Sequence, residues 1–266
     1  MKLIDFSPRP LFKLCPLKYD ITKGCNTLRI GTLWGFREEE NELLRDAGEG
    51  EFDFKIRFPR LTPVSNEWIS EFEFASGGSA HIGRMALNKD NISVEDVTLK
   101  GSANNCWIFC VSLSDSAAGN ISEAHDSKWM VSGEKIQEFG NFLGALLWSK
   151  ISIKDLPPDL VKKYTFKELS EGLALQMDMR AVDYTNREVL IEDERSYPVE
   201  KIRELKSSIP FIKPLKFLEE QEFRFAFWLM FRKQKITIND NPKILQLRQI
   251  DQFVSSIQAK TEPPFG

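Results

Sequence analysis

Alternation of apolar and charged residues is the strongest pattern along this chain, and it predicts strands. Residues Glu51 to Phe58 place phenylalanine or isoleucine at every second position, with charged residues between them. This two-residue period is typical of a strand that buries one face. The same period recurs from Leu173 to Met179 and from Phe223 to Phe231, where the apolar face is strongly aromatic. We therefore expect these segments to be strands of one sheet.

Other apolar segments extend the predicted sheet. Cys106 to Leu113 is almost continuously apolar, which favours a central strand covered on both faces. Apolar residues also alternate, less regularly, from Trp68 to Phe74 and from Ile92 to Leu99. We expect a strand at each of these places, with a glycine-bearing loop between the Trp68 to Phe74 segment and the Ile92 to Leu99 segment.

Apolar residues spaced by three and four positions predict helices. Ser132 is a suitable N-cap for a helix whose apolar stripe runs from Ile136 to Leu147. Leu160 to Phe166 is short and amphipathic, and the spacing from Ile244 to Ile257 predicts a terminal helix. Strands outnumber helices and do not alternate regularly with them. We therefore predict a single α+β domain over residues 1–266, with a mixed, largely antiparallel sheet and a few flanking helices.

Composition mainly excludes classes of protein. The formal net charge of −3 does not favour electrostatic binding to nucleic acid, which needs an excess of lysine and arginine. No apolar run reaches the roughly 18 residues of a membrane-spanning helix, and the first residues lack the apolar stretch of a signal peptide. We expect a cytoplasmic protein with no membrane partner.

Metal sites and familiar nucleotide motifs are not predicted either. The chain has four cysteines without Cys-x-x-Cys spacing and only two histidines, His81 and His125. We expect reduced thiols and no metal. The motifs of phosphate loops, dinucleotide-binding folds and serine hydrolases are missing. The glycines from Gly77 to Gly83 predict a flexible connection, with phosphate-binding backbone amides as the alternative.

The first cluster with candidate chemistry contains Arg29. This arginine lies within the apolar segment Leu28 to Thr32 and is followed by Gly31. An arginine in such a strand can hold a phosphate or a carboxylate through two hydrogen bonds while the backbone comes close. The alternative is an edge strand with an outward-facing arginine.

The second cluster follows the predicted central strand. Ser112 and Ser114 stand at its exit, where hydroxyl groups can hydrogen-bond a ligand, although serine is also common in turns. His125, Asp126 and Trp129 follow in a polar connection. We expect them to line the same cleft, because a tryptophan in a loop has to pack on something.

The third cluster contains Glu220 and Glu222, at the entrance to the aromatic strand. If both belong to that strand, its period of two places them on one face, but the sequence leaves the register open. A carboxylate beside a cleft can stabilise an oxocarbenium-like centre or act as a general base in glycosyl transfer. The alternative is solvated charge at a strand end.

These clusters carry two resemblances. Together with the start Leu11-Phe12-Lys13, they resemble a poorly characterised group of bacterial domains of unknown function. The order of an Arg-bearing, a Ser-bearing and a Glu-bearing strand also resembles, more distantly, the Arg-Ser-Glu triad of the ADP-ribosyltransferase superfamily. That resemblance implies NAD as a substrate, with Arg29 on a phosphate and Ser112 or Ser114 at the nicotinamide ribose. It implies catalysis by Glu222 or Glu220, and we expect Trp129 to line the NAD cleft.

We therefore expect an NAD-dependent ADP-ribosyltransferase-like enzyme of a bacterial or phage conflict system, acting on a nucleotide or protein acceptor. The alternative is a non-catalytic module of such a system. In that case exposed aromatic residues, among them Trp34, Trp68 and Trp129, would contact a protein partner. A cleft that joins the arginine, serine and glutamate favours the enzyme, and scattered positions favour the module.

Overall fold

The computed structural model describes residues 9–38, 45–72, 78–88, 91–116 and 125–257. Its helices are α1 (Asn66–Ser70), α2 (Ile136–Trp148), α3 (Pro158–Lys163), α4 (Phe166–Gly172) and α5 (Val199–Ser208). Its strands are β1 (Leu11–Cys15), β2 (Thr27–Thr32), β3 (Glu51–Val64), β4 (Ser79–Leu87), β5 (Ile92–Ser102), β6 (Trp107–Ser112), β7 (Ser127–Val131), β8 (Leu173–Ala181), β9 (Asp183–Tyr184), β10 (Glu188–Ile191), β11 (Ile212–Lys213), β12 (Glu222–Phe231), β13 (Gln234–Lys235), β14 (Lys243–Gln246) and β15 (Val254–Ser256).

The described strands form a nine-stranded, a four-stranded and a two-stranded sheet. The main path of the large sheet runs β13-β12-β6-β1-β7-β15, with β8 added to β12 and the pair β2-β14 added to β6. The four-stranded sheet has the order β10-β3-β5-β4. Only the pairs β10-β3 and β11-β9 are parallel among the described residues. The predicted α+β fold with mixed, largely antiparallel pairing is confirmed.

Strand β12 shows how the aromatic alternation builds the core. Its odd-numbered residues, Phe223 to Phe231, join the main hydrophobic core, and its even-numbered residues face the opposite side of the sheet. Helix α2 packs on the phenylalanine face, where the ring centroids of Phe139 and Phe225 lie 5.8 Å apart. Gly140 allows this approach, because a Cβ atom there would lie only 2.6 Å from the sulfur of Met177. The predicted strand and helix are both confirmed.

The segment from Trp68 to Phe74 is not a strand, and that prediction is wrong. Residues Asn66–Ser70 form helix α1, whose N-cap is Ser65. The Ser65 hydroxyl accepts a hydrogen bond from the Trp68 amide at 3.2 Å. Trp68 and Phe72 are four positions apart, so both are buried on one side of a helical turn. Phe74 lies outside the described residues.

The terminal helix predicted from Ile244 to Ile257 is also wrong. The segment forms β14, which pairs with β2, and β15, which pairs with β7. Gln249 has a left-handed backbone (φ 57°), which interrupts any helix between them. The free edges of β2 and β7 give this segment backbone hydrogen bonds that its apolar spacing did not reveal.

Smaller predictions also need correction. Gly83 lies within strand β4 and not in a loop, and Gly77 lies outside the described residues. Ser132 precedes a short 3-10 turn that leads into α2, and its side chain makes no capping hydrogen bond. Trp129 lies in strand β7 and not in a polar connection.

Candidate functional site

The candidate site lies at a gap in the large sheet. Strand β6 pairs with β12 along one edge, and β1 and β2 share its other edge. Strand β2 meets this edge at Ile108, and β1 meets it at Ser112. A cavity of about 620 Å³ is lined by residues of all three strands. It therefore lies where β1 and β2 part from each other along β6.

Cations and aromatic rings line this larger cavity. Lys13 and Arg29 contribute positive charge, and Asp240, whose carboxylate accepts a hydrogen bond from Thr32, contributes negative charge. Within the described residues, two permanent cations thus face one carboxylate, which favours an anionic ligand. The aromatic side chains on the wall are Tyr19, Phe36, Phe109 and Trp129.

A smaller cavity of about 170 Å³ adjoins the larger one. The smaller cavity is lined by Ser112, Glu220 and Glu222, whereas Arg29 lines the larger cavity. Strand pairing thus brings the three predicted residue types to neighbouring cavities. The residues common to both walls are Lys13, Leu14, Phe36, Cys110 and His125.

The structure resolves the register at Glu220 and Glu222. Glu220 ends a 3-10 helix that spans Leu215–Glu220, and Gln221 turns the chain with a left-handed backbone (φ 42°). Glu222 then begins β12 on the face opposite the phenylalanines, directly across from Ser112 on β6. The two carboxylates belong to different elements, yet both accept hydrogen bonds from Lys213, at 2.6 Å and 3.0 Å.

Glu222 belongs to a buried network of ion pairs. Arg224, which is 1 % exposed, donates a hydrogen bond of 2.6 Å to Glu222 and two of 2.9 Å and 3.0 Å to Glu49. Arg187 pairs with Asp46 and lies 3.6 Å from Glu49. We call this group the ion network; its members are Asp46, Glu49, Arg187, Lys213, Glu220, Glu222 and Arg224.

The ion network gives Glu220 and Glu222 different pKa values. Its cations are Arg187, Lys213 and Arg224, one fewer than its carboxyl groups. Burial by itself raises the pKa of Glu222, but Arg224 and Lys213 outweigh burial and hold that pKa well below its usual range. Burial raises the pKa of Glu220 to about 7; Lys213 opposes this shift, and the Glu222 charge adds to it. Glu222 is therefore a fixed anion, and Glu220 titrates near neutral pH.

The raised pKa of Glu220 predicts a pH-dependent difference in stability between the wild type and its Glu220→Gln variant. The folded chain keeps the Glu220 proton up to about pH 7, whereas the unfolded chain releases it near the usual pKa of 4.5. This contribution to stability is complete below pH 4.5 and is lost as the pH rises to about 7. Glutamine keeps an oxygen for Lys213 but does not titrate. The variant should therefore gain stability relative to the wild type over this range.

Urea denaturation at a series of pH values measures this difference in the free energy of unfolding. Glu188→Gln is a matched control, because Glu188 pairs with Lys55 at the surface, away from both cavities. Its free energy of unfolding should stay within about 1 kcal/mol of the wild-type value at every pH, because the ion pair that it removes is exposed. A difference between the wild type and Glu220→Gln that does not change with pH would contradict titration of Glu220.

Arg29 and the two serines differ in how far they are engaged. Arg29 is exposed on β2, and the described part of the chain offers it no hydrogen bond or ion pair. The Ser112 hydroxyl donates to the Glu220 carbonyl at 3.0 Å and accepts from the Ser114 amide at 3.1 Å. Ser114 lines neither cavity. Arg29 is thus available to a ligand, whereas Ser112 already holds the turn that carries Glu220.

The polar residues before β7 do not act together. Asp126 accepts a hydrogen bond from the Leu17 amide at 2.7 Å and lines neither cavity. His125 lines both cavities, and its Nδ1 atom is buried without a hydrogen-bond partner in the described residues. Burial and the nearby Lys13 charge lower the pKa of His125, so this ring is neutral at pH 7. Of the three, Trp129 also lines the larger cavity.

Two of the three tryptophans expected at the contact surface of a binding module are buried. Trp68 is 0 % exposed and Trp129 is 1 % exposed, so the prediction of exposure is wrong for both. Trp34 is half-buried, and its ring donates a hydrogen bond to the Ala103 carbonyl at 3.2 Å. These tryptophans stabilise the fold and do not form a shared contact surface.

Two lysines at the site were missed by the sequence reasoning. Lys13 lies in the middle of β1, and Lys213 ends β11. Each is a single lysine in an otherwise apolar run, Leu11 to Cys15 and Ile209 to Lys213 respectively. A lysine is rarely buried without a partner, so such an isolated lysine was the available signal for a site.

No protein-family model, curated protein or solved structure matches the chain. Within the described ranges, no helix is long and apolar enough to cross a membrane. The same residues contain no group of three or more His, Cys, Asp or Glu side chains placed to hold a metal ion.

Proposed function

We propose that this protein is an NAD-dependent ADP-ribosyltransferase-like enzyme that binds NAD in the larger cavity and transfers the ADP-ribosyl group beside Glu220. The proposal depends on one observation: the larger cavity, with Arg29, adjoins the smaller cavity, with Ser112 and Glu220. A ligand that extends from one cavity into the other meets an arginine, a serine and a glutamate. This is the set of residue types that the resemblance implies for NAD.

The size and charge of the larger cavity support a dinucleotide ligand. Its volume of about 620 Å³ lies within the range of about 300–1,000 Å³ typical of small-molecule sites. Among the described residues the Arg29 guanidinium has no partner, so it can bind a phosphate group through two hydrogen bonds. The aromatic side chains on the wall offer apolar surface to a nucleobase or to nicotinamide.

Glu220 supports the transfer step as a proton acceptor. In this step the bond between the ribose anomeric carbon and the nicotinamide nitrogen breaks, and its electron pair returns to nicotinamide. A lone pair of the acceptor forms the new bond to the same carbon, and the acceptor's proton passes to the Glu220 carboxylate. A pKa of about 7 suits a general base at neutral pH. Lys213, held in turn by Glu222, orients the Glu220 carboxylate.

The proposal predicts that Glu220→Gln lowers NAD turnover about 100-fold while the protein stays folded, because glutamine cannot accept the proton. Release of nicotinamide from NAD by the purified protein, followed by chromatography, measures turnover.

Arg29→Leu should weaken NAD binding about tenfold or more, because it removes a charged hydrogen-bond donor. Calorimetric titration with NAD measures that binding.

Glu188→Gln again provides the control and should leave both turnover and NAD affinity unchanged. Circular dichroism of each variant checks that the fold is retained. If the wild type does not bind NAD, or if wild type and Glu220→Gln release nicotinamide at equal rates, the proposed function is wrong.

A further inference from the structure

Lys13 occupies the point at which the β6 edge is left unpaired. Strand β2 pairs with this edge at Ile108 and β1 at Ser112, and Cys110 lies midway between them. The Cys110 carbonyl oxygen accepts its hydrogen bond from the Lys13 ammonium group, at 2.9 Å. A side chain therefore replaces a strand at this position. The Lys13 ammonium group therefore lies in the gap between β1 and β2, on the wall of the larger cavity.

The protein engages only part of the hydrogen-bonding capacity of this ammonium group. A lysine ammonium has three N–H donors, and among the described residues Lys13 uses one of them, on Cys110. The Phe109 ring lies under the charge, with its centroid 5.2 Å from Nζ. In the described ranges, no carboxylate oxygen lies within ion-pairing distance of Lys13, whereas Lys213 pairs with both Glu220 and Glu222. Lys13 thus retains charge and donors for a ligand.

The surroundings of Lys13 favour an anion that carries an apolar ring. Lys13 and His125 line both cavities, so a group bound between them lies at the junction. The neutral His125 ring adds a polar atom that is buried and unpartnered in the described structure. The larger cavity exceeds the size of a phosphate ion many times, and its aromatic walls suit a flat ring. A nucleoside diphosphate combines both parts.

We propose that Lys13 is a phosphate-binding residue that holds the diphosphate of a nucleotide at the junction of the two cavities. The inference deepens the proposed function and rests on it for the identity of NAD as the nucleotide. Arg29 then contacts the same diphosphate from the β2 side of the gap, and Lys13 contacts it from the β1 side. The bond from Lys13 to Cys110 fixes the ammonium group before the ligand arrives, which reduces the entropy lost on binding.

Calorimetric titration with ADP and with adenosine tests this role, since the two ligands differ only in the diphosphate. Wild type should bind ADP more tightly than adenosine. Lys13→Met keeps the apolar stem over Phe109 but removes the charge, and it should weaken ADP binding about tenfold or more without changing adenosine binding. Lys13→Arg keeps the charge and should retain most of the ADP affinity.

Lys128→Met is the matched control. Lys128 lies on the neighbouring strand β7, pairs with Asp115 and lines neither cavity, so its replacement should leave both affinities unchanged. If Lys13→Met weakens ADP and adenosine binding equally, or if the wild type binds neither ligand, the assignment is overturned. The assignment would also be overturned if Lys13→Met bound ADP as tightly as the wild type does. Circular dichroism checks that this variant is folded.

The measurements separate this inference from the proposed function. ADP binding that depends on Lys13, in a protein that releases no nicotinamide from NAD, supports the phosphate site and contradicts the transferase. NAD turnover with ADP affinity independent of Lys13 supports the transferase and contradicts the phosphate site.

Discussion

Replacing Arg224 by methionine should lower the free energy of unfolding by about 3–5 kcal/mol, the usual effect of removing one partner from a buried ion pair. The Arg224 guanidinium donates hydrogen bonds to Glu49, to Glu222 and to the Pro210 carbonyl. Glu49 is 1 % exposed, so without Arg224 its charge stays in an environment that water does not reach. Methionine fills part of the space but donates no hydrogen bond. Urea denaturation of the wild type and the variant measures the loss.

Lys55→Met tests whether burial causes this effect. Lys55 forms an ion pair with Glu188 at the surface, where both side chains are more than one third exposed. Exposed pairs contribute about 1 kcal/mol or less, because water and salt screen them. A loss for Arg224→Met as small as that for Lys55→Met would show that the ion network does not hold the fold together.

The ion network also explains why the proposed mechanism gives the role of proton acceptor to Glu220 and not to Glu222. Arg224 on β12 of the nine-stranded sheet links Glu222 to Glu49. Glu49 lies in the turn that leads into β3 of the four-stranded sheet. Glu222 is therefore part of the connection between the two sheets. Glu220, which lines the smaller cavity, pairs with Lys213, and burial raises its pKa to about 7. The ion network thus separates a structural carboxylate from a titrating one only two residues away.

The parts of the fold that follow from local pattern were predictable from the sequence. Strands β3, β8 and β12 each alternate over many residues, and the two-residue period places the apolar residues that alternate with polar ones on a single face of the strand. Helix α2 has an apolar stripe long enough to exclude a strand. For these elements the local period and the tertiary environment agree, so the period alone was sufficient.

The remaining elements depend on partners that are distant in the sequence. Residues Ile244 to Ile257 have helical spacing, but the unpaired edges of β2 and β7 turn parts of the segment into strands. The site shows the same limit. Ser112 and Glu222 were found because each stands at a strand end, and the β6-β12 register places them side by side. Their connection to Glu49 was not predictable, since Glu49 and Arg224 are 175 positions apart.

Trp68 also depends on a residue that is distant in the sequence, Tyr197. Replacing Trp68 by alanine should lower the free energy of unfolding by about 3–5 kcal/mol. The side chain is 0 % exposed in the core between the four-stranded sheet and α5. Its ring centroid lies 4.9 Å from that of Phe72 and 6.1 Å from that of Phe58. The indole N–H donates to the Tyr197 carbonyl at 2.7 Å. Alanine leaves a cavity and an unpaired carbonyl.

Two further variants separate these contributions when unfolding is followed by circular dichroism. Trp68→Phe keeps most of the ring packing but loses the bond to Tyr197, so it should cost about 1–3 kcal/mol. Trp148→Ala removes the same side chain at the end of α2, where it is 44 % exposed. Its effect should stay within about 1 kcal/mol, because water already contacts much of the ring. Equal losses for Trp68→Ala and Trp148→Ala would mean that helix α1 does not stabilise the core of the four-stranded sheet. A larger loss for Trp68→Ala would show that α1, which was predicted to be a strand, does stabilise that core.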